Sequence, residues 1–554
     1  MTVIAKGPAS PAASRPETLA VDLAALGLLP PLPSAYLAGR DLDLLAPLRF
    51  LAPGTLPAIP VGAAPVGRRE LAGALGVANR GYGHPAADEL ARRLADPATR
   101  VVVTGQQPGL FGGPLYGFAK MVAAGRWAAA LEAAGEPAVA VFWVATEDHD
   151  YAEVASAAFL TPEGPRAFDL GPDPEPLVPV GMRTLGPEVT QVLAALAAAF
   201  PGELHTEWFA TLGRWYRPDA RFGEAFCRLL AHLLGPRCPL LLDAMHPALK
   251  AAERPLLRRL VERRHEIEAA SEARDAEIER RGHLLQVSPQ RGSSPLFLFH
   301  RGERRRIEWR GEDGFALRGR AEGGGSVAEL LRTIDENPGV VSPGVLARPA
   351  VQDAVLGTCL QVLGPGEVSY MAQVAPVYPL LEVAPPTVAL RPQTMVLEAK
   401  QIERLAESGL TLADLLGARQ DLDRTRGARA GGGFVAPVRQ EVEAALATLR
   451  APALGVDPNL ERPWEKTREQ ILRALDLFAD KAISAAARRD EVESRRVEQL
   501  RQACLPFGKL QERALSTGYF GDRFGPLLAE SFWEQMELDP LHLQVISPGR
   551  EEGV

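Results

Sequence analysis

The chain has 554 residues, 46% of them hydrophobic, and a formal net charge of −8. Such a length exceeds one ordinary hydrophobic core and calls for at least two structural units. No run approaches about 18 uninterrupted strongly apolar residues, which speaks against a membrane span, and an acidic chain without a lysine tract is poorly suited to long nucleic-acid contacts.

The opening MTVIAKGPASPAASRPETLA has no apolar segment of signal-peptide type. Cys227, Cys238, Cys359 and Cys504 form no CxxC pair. This argues against a disulfide framework or a zinc knuckle and fits a reducing cytoplasm. Lysine occurs only as Lys6, Lys120, Lys250, Lys400, Lys466, Lys481 and Lys509, while arginine is used freely. An ammonium is a point charge and a guanidinium a planar fork, so Lys120 and Lys509, both inside motif-like segments, stand out.

In chain order, residues 1–16 read as a flexible Pro/Ala/Ser-rich tail. The segment from Tyr36 to Leu51 reads as a helical pair. Val101–Thr104 is a strand, followed by a glycine-rich loop and a helix with Pro114 in its first turn. Leu115, Phe118, Ala119 and Val122 give that helix an amphipathic spacing, and Gly135 ends it. AVAVFWVA, from Ala138, is apolar without alternation, as in a parallel strand covered on both faces. The three elements form a βαβ unit.

Helices are expected over Glu188–Phe200, Arg221–Leu234 and Ala248–Arg281, a buried strand over Cys238–Asp243, and a β-meander over Ser293–Leu317. Ala347–Val362 reads as one helix with Pro349 in its first turn, broken by the following Gly-Pro-Gly. Beyond Pro392 a helical arm is expected. Its seam runs through Ile471, Leu475, Phe478, Ala482 and Ala486, then Val497, Leu500 and Cys504. The chain closes on a helix and a strand, HLQVIS. The fold class is therefore α/β, with a parallel-sheet core and, beyond it, a long helical hairpin or coiled coil. The expected divisions are a tail (1–16), a core (17–392), an arm (393–510) and a returning segment (511–554).

Four groups of residues can carry chemistry. The first is the loop with Thr104, Gly105, Gln106, Gln107, Gly109 and Gly113, continuing to Tyr116. Glycines let backbone N–H groups approach an anion, and the helix start adds a favourable dipole. Lys120 is a cationic partner if its side chain reaches back to this loop. A tight strand-to-helix connection is the structural alternative. The second is Glu147-Asp148-His149-Asp150, at a carboxyl strand end where open α/β sheets bind ligands. His149 suits acid–base work. Adjacent residues of an extended chain point in opposite directions, so no metal is assigned here.

The third group combines Arg348, Gln352, Asp353, Glu367 and Tyr370. Arg348 can clamp a carboxylate or phosphate, Gln352 shares its helix face, and Asp353 can meet an amine or hydroxyl. A capped helix with a surface ion pair is the alternative. The fourth is Lys509, Gln511 and Arg513, either a nucleotide site or an interdomain ion-pair set.

TGQQPGLFGGPLY from Thr104, VFWVATEDHDYAEV from Val141, RPAVQDAVLGTCLQVLGPGEVSYMAQ from Arg348 and PFGKLQER from Pro506 occur in that order. Together they resemble the BshC family, the cysteine ligases of bacillithiol biosynthesis, over roughly Tyr36–Ser547. The resemblance implies a Rossmann-like parallel-sheet core with inserted segments, an α-helical coiled-coil domain used for homodimerisation, and the joining of cysteine to the glucosamine amine of glucosaminyl malate. It carries an active site onto Thr104–Tyr116, Glu147–Asp150 and Arg348–Tyr370, and a second nucleotide site onto Lys509–Arg513. Where the family often has Thr before the Gly-Pro of the first loop, this chain has Gly112.

The mechanism expected is activation of the cysteine carboxylate, by ATP or another nucleotide or by a pre-activated donor. The glycine-rich loop holds developing charge, and His149, flanked by Asp148 and Asp150, assists proton transfer from the amine. Two alternatives remain open at this stage: a nucleotidyl-transferring ligase of aminoacyl-tRNA-synthetase type, and a non-catalytic coiled-coil scaffold with a ligand-binding sheet domain.

Overall fold

The computed structural model describes residues 17–57, 65, 67–288, 292–429, 431–489 and 491–549; the expected tail at 1–16 lies outside them. Its described residues divide into two units. One comprises Asp22–Leu397 with 509–549, the other 17–21 with Glu398–Gly508.

The first unit is built on a six-stranded sheet. Its strands are β1 (Arg49–Phe50), β2 (Arg100–Gln106), β3 (Ala138–Val144), β4 (Leu240–Asp243), β5 (Thr358–Leu363) and β6 (Thr387–Leu390). They lie in the order β1-β6-β5-β2-β3-β4, every pair parallel. Strand β2 sits in the middle. From it the chain builds outward through β3 and β4, then returns to the other side for β5 and β6. The connections therefore diverge between β2 and β5, the switch point at which such sheets bind ligands.

The apolar run of β3 is buried along its whole length. Its side chains alternate between two cores: Ala138, Ala140, Phe142 and Val144 enter one, and Val139, Val141 and Trp143 the other. A strand covered on both faces needs no polar positions, hence the unbroken run.

Helix α1 (Leu115–Ala133) joins β2 to β3. Pro114 is its N-cap residue and does not enter the first turn; Gly135, at φ 87°, follows its end. The amphipathic reading is corrected: α1 is buried nearly all round, because the C-terminal helix Leu527–Gln535 covers the side away from the sheet. Phe118 meets Phe532 edge-on at 5.3 Å.

Two more readings change. Arg49–Phe50 is an edge strand, not part of a helical pair. Ala347–Val362 splits into helix α2 (Arg348–Leu356) and strand β5, with Gly357 at φ 65° ending the helix. A left-handed glycine after the last helical turn is a strong stop, and the β-branched and apolar residues beyond it fit a central strand. Helix α3 (Pro365–Val374) then starts at the tip of β5.

The meander Ser293–His300, Glu303–Arg310, Gly314–Leu317 is antiparallel and belongs to a second, five-stranded sheet that also takes in Val341–Pro343. The final strand, Leu543–Ile546, pairs in parallel with Gln393–Val396. The four cysteines are buried and free. Burial pushes their thiols up, Cys359 and Cys504 to about 12, so they are inert at neutral pH.

The second unit is helical. Val435–Val456 and Glu461–Arg489 form an antiparallel hairpin, with Arg439 bonded to Asp476 and Arg450 to Glu461. Arg419–Arg429 packs on the same long helix, and Gly427 allows the close approach, since a Cβ there would strike the Ile483 carbonyl. The seam is shifted from the reading above: Leu472 is buried and Leu475 half-buried, while Ile471 and Phe478 are exposed. Val497, Leu500 and Cys504 are buried. Among the described residues no helix is long and apolar enough to cross a membrane.

The glycine-rich loop is a packing device. A Cβ on Gly109 would lie 2.7 Å from Gly113 Cα, and one on Gly112 would lie 2.9 Å from Thr517 Cβ. Gly109→Ala is expected to destabilise the first unit by about 1–3 kcal/mol, as overpacking does, lowering its thermal unfolding midpoint.

Candidate functional site

The β2–β3 register runs from Arg100↔Ala138 to Gln106↔Val144, so the two strands end level. Their tips share one cavity of about 520 Å³ with the tip of β5 and the start of α3. Gln107 Nε2 donates to Asp148 Oδ2 at 2.7 Å and ties the first tip to the second.

Of the residues expected at the site, Gly105, Gln106, Gln107, Tyr116, Lys120, Asp148, His149, Arg348, Glu367 and Tyr370 line this cavity. Lys120 stands on the otherwise apolar face of α1 with 2% of its side chain exposed. It reaches back to the loop, donating to the Gly105 carbonyl at 2.8 Å and to Gln106 Oε1 at 3.1 Å, and pairs with Glu367 Oε2 at 2.5 Å. Burial lowers its pKa, and Glu367 opposes that shift. Glu367 also accepts the Gly364 N–H at 2.7 Å, fixing the start of α3. Gln106 Nε2 donates to the Tyr116 hydroxyl at 2.9 Å.

Arg348, at the start of α2, donates to Gln352 Oε1 at 2.9 Å and to the Tyr370 hydroxyl at 3.1 Å. Burial pushes Tyr370 up to about 12, so it remains protonated. His149 is half-buried; its pKa is lowered by burial first and by Arg304 second.

Other expected residues are placed elsewhere. Thr104 is buried, its hydroxyl donating to the Val362 carbonyl at 2.7 Å. Gly109 and Gly113 turn the loop inward: the N–H groups of Gly109, Gly112 and Gly113 all bond within the loop, and the Gly113 carbonyl accepts from Thr517 N at 2.7 Å. These N–H groups are spent and cannot cradle an anion, which corrects that expectation. The Cβ position that a Thr at 112 would need is filled by Thr517. Asp150 caps the short helix Tyr151–Val154 by accepting from Glu153 N. Gln352 holds Arg348 from below. Asp353 is buried on α2 itself, accepting from Tyr378 at 2.6 Å and from Gln361.

Lys509, Gln511 and Arg513 do not come together. Lys509 is exposed. Gln511 is buried and brackets Val396, accepting from its N–H at 2.7 Å and donating to its carbonyl at 2.8 Å. Arg513 lines the main cavity. Between them Glu512 holds buried Arg391 by two bonds of 2.6 and 2.9 Å, and Arg391 also reaches the cavity.

Several lining residues escaped the reading of the sequence: Arg304, Arg306 and Phe297 from the meander, Glu153, and Arg391. Arg304 and Arg306 are two apart on one strand and share a face, the one signal available in ERRRIEWR. Arg304 lies 3.8 Å from the Phe297 ring centre and Arg306 5.0 Å. Reduced hydration and the neighbouring Asp150 and Asp148 raise Glu153. Glu147 is ion-paired to buried Lys250, which also holds Glu253 at 2.7 Å. Among the described residues no group of three His, Cys, Asp or Glu is placed to hold a metal ion.

A parallel α/β sheet with a polar cavity at its switch point, joined in sequence to a helical hairpin, defines a Rossmann-like enzyme-type core with a coiled-coil domain. Residues 61–392 match the family described as bacillithiol biosynthesis BshC, N-terminal Rossmann-like domain, and residues 394–546 its C-terminal coiled-coil domain. The chain belongs to the BshC family. Relatives named "Putative cysteine ligase BshC" include those of Salinibacter ruber (31% identical, covering 82% of this chain and 84% of the relative) and Solibacter usitatus (30%, 89% and 92%). That of Symbiobacterium thermophilum is 31% identical, over 85% and 88%.

Asp353 gives the site's surroundings a pH signature. Burial raises its folded-state pKa from 3.8 to about 7. Between those values the folded chain binds more protons than the unfolded one. The contribution of Asp353 to stability therefore falls as pH rises through this window. Asp353→Asn is expected to flatten that dependence in thermal melts recorded from acid to neutral pH.

Proposed function

We propose that this protein forms the amide bond between the carboxyl of cysteine and the glucosamine amine of glucosaminyl malate, the last step of bacillithiol synthesis. The observation that carries this reading is the charge of the cavity wall. Among the described residues, Lys120 is paired with Glu367, Arg304 with Asp148 and Arg391 with Glu512. Arg306, Arg348 and Arg513 also line the cavity and, among the described residues, reach no carboxylate within ion-pair distance. Unneutralised guanidinium groups in a pocket suit a ligand with more than one carboxylate or phosphoryl group, and the malate moiety supplies two carboxylates. The volume is in the range of small-molecule sites. Family membership and the names of the relatives support the same chemistry.

A free carboxylate is a poor acceptor of an amine. In this reading a nucleotide such as ATP converts it to an acyl phosphate or adenylate, the amine adds to the acyl carbon, and the phosphate or nucleotide leaves with its bonding electrons while the nitrogen gives up a proton. Purified protein incubated with cysteine, glucosaminyl malate and ATP is expected to yield bacillithiol by mass spectrometry. Persistent absence of product with varied activating nucleotides would overturn the reading. Arg348→Met is expected to raise KM for glucosaminyl malate by about 10- to 100-fold, the loss of a charged hydrogen bond; an unchanged KM would remove Arg348 from substrate binding.

The same reading takes the helical arm as a homodimer contact. Phe434, Leu449, Leu477 and Phe478 are each more than half exposed on it, and apolar side chains left in water on a coiled coil favour a second copy. Light scattering is expected to give twice the chain mass, and Leu477→Glu with Phe478→Glu to give the monomer.

A further inference from the structure

We propose that Arg304 fixes the tautomer of His149, keeping the ring proton on Nε2, so that His149 meets a bound ligand as a hydrogen-bond donor and not as a proton acceptor. The geometry is direct. Arg304 Nη1 lies 3.3 Å from His149 Nδ1. A guanidinium has only donors and stays protonated in proteins, so the nitrogen that faces it must offer a lone pair. A neutral imidazole whose Nδ1 accepts carries its proton on Nε2.

Arg304 has little freedom to do otherwise. Its Nε donates to Ser342 Oγ at 3.0 Å and its Nη2 to the Pro343 carbonyl at 3.1 Å, while its plane rests on Phe297. The carboxylate that could draw the proton to Nδ1 is Asp148, and it stands beyond hydrogen-bond reach of that nitrogen. Its Oδ1 is 3.8 Å from Nδ1 and accepts the backbone N–H of His149 at 2.7 Å; its Oδ2 accepts from Gln107. Asp150 is turned to its capping bond, and of the two further charges that reach the ring, Arg183 is a cation and Asp173 is the carboxylate paired with it. The lowered pKa of His149 has the same origin, burial and then the Arg304 charge.

The consequence is chemical. The only basic nitrogen of the ring is the one Arg304 covers, and protonating it would set an imidazolium against a guanidinium. Nε2–H has no partner among the described residues and is left for an oxygen of the ligand. Resting on the acyl-transfer reading above, that oxygen is the acyl oxygen of the activated cysteine, whose negative charge grows as the amine adds. The amine proton then passes to another acceptor, and the expectation that His149 removes it is replaced. Arg304 is a positioning residue in this scheme.

The tautomer is measurable without turnover. Full-length protein labelled with ring-15N, 13C histidine would be examined by solid-state NMR, with the His149 signals assigned by their loss in His149→Asn. The expected result is a protonated nitrogen correlated to Cδ2, which marks Nε2, beside an unprotonated Nδ1 that stays so below the ordinary histidine pKa of about 6.5. Arg304→Lys, which keeps a cationic donor, should retain it. Arg304→Met should release the preference and raise the pH at which the ring titrates, burial still holding it below the ordinary value. A protonated Nδ1, or an imidazolium at neutral pH in the unaltered protein, would overturn the proposal, as would an Arg304→Met ring identical to the original. Absence of ligase activity alongside the Nε2–H tautomer would refute the proposed reaction and leave this assignment standing.

Discussion

The parallel pairing of β2 with β3 is the constraint on which the site depends. Seven consecutive residue pairs bring Gln106 and Val144 to the same level. The donor-rich tip of one strand and the acidic, imidazole-bearing tip of the other therefore face the same space, and Gln107 closes the gap by bonding to Asp148. A slip of one residue would turn every side chain of β3 to the opposite core. Trp143 in one core and Phe142 in the other make that slip prohibitive, so core packing fixes the geometry of the polar tips.

Charge is distributed by the same logic. The cavity is walled by cations on rigid elements: Lys120 on α1, Arg348 at the start of α2, Arg304 and Arg306 on one β-strand. Each of the best-buried cations has a carboxylate or a set of neutral acceptors that holds it in place. Lys120 is the clearest case. An ammonium with 2% exposure is costly unless paired, and it is paired with Glu367 while also bonding to Gly105 and Gln106. The pair joins α1 to α3 across the switch point, so a charge that looks like a binding group also staples the sheet connections. Arg391 with Glu512 does the same between the C-terminal segment and the rim of the cavity.

The glycine-rich loop shows how a correct local reading can lead to the wrong role. Strand, loop and helix are where the residues Val101–Ala133 suggest. The glycines, however, are required by close approach to one another and to Thr517, more than 400 positions away. The polar work is done by the residues just before them. In the same way the stop at Gly357 was written in the chain, but a helix and a strand of similar apolar content are hard to separate by periodicity alone. The arm seam is ambiguous for a related reason: apolar residues stand on both sides of Leu475, and the facing helices choose Leu472 over Ile471.

The sequence by itself determined the class of fold, the βαβ unit with its buried strands, the helical arm and the family, because these follow from local periodicity and from motifs whose residues are adjacent. It also marked most of the residues on the cavity wall. Only the tertiary structure decided which of them face the cavity, that Thr104, Gln352, Asp353 and Gln511 are internal braces, that Arg513 joins the main cavity, and that Arg304 and Arg306 arrive from a distant hairpin. The reason is that side-chain direction and charge pairing are set by elements hundreds of residues apart, and no local pattern records which guanidinium finds a carboxylate and which is left free.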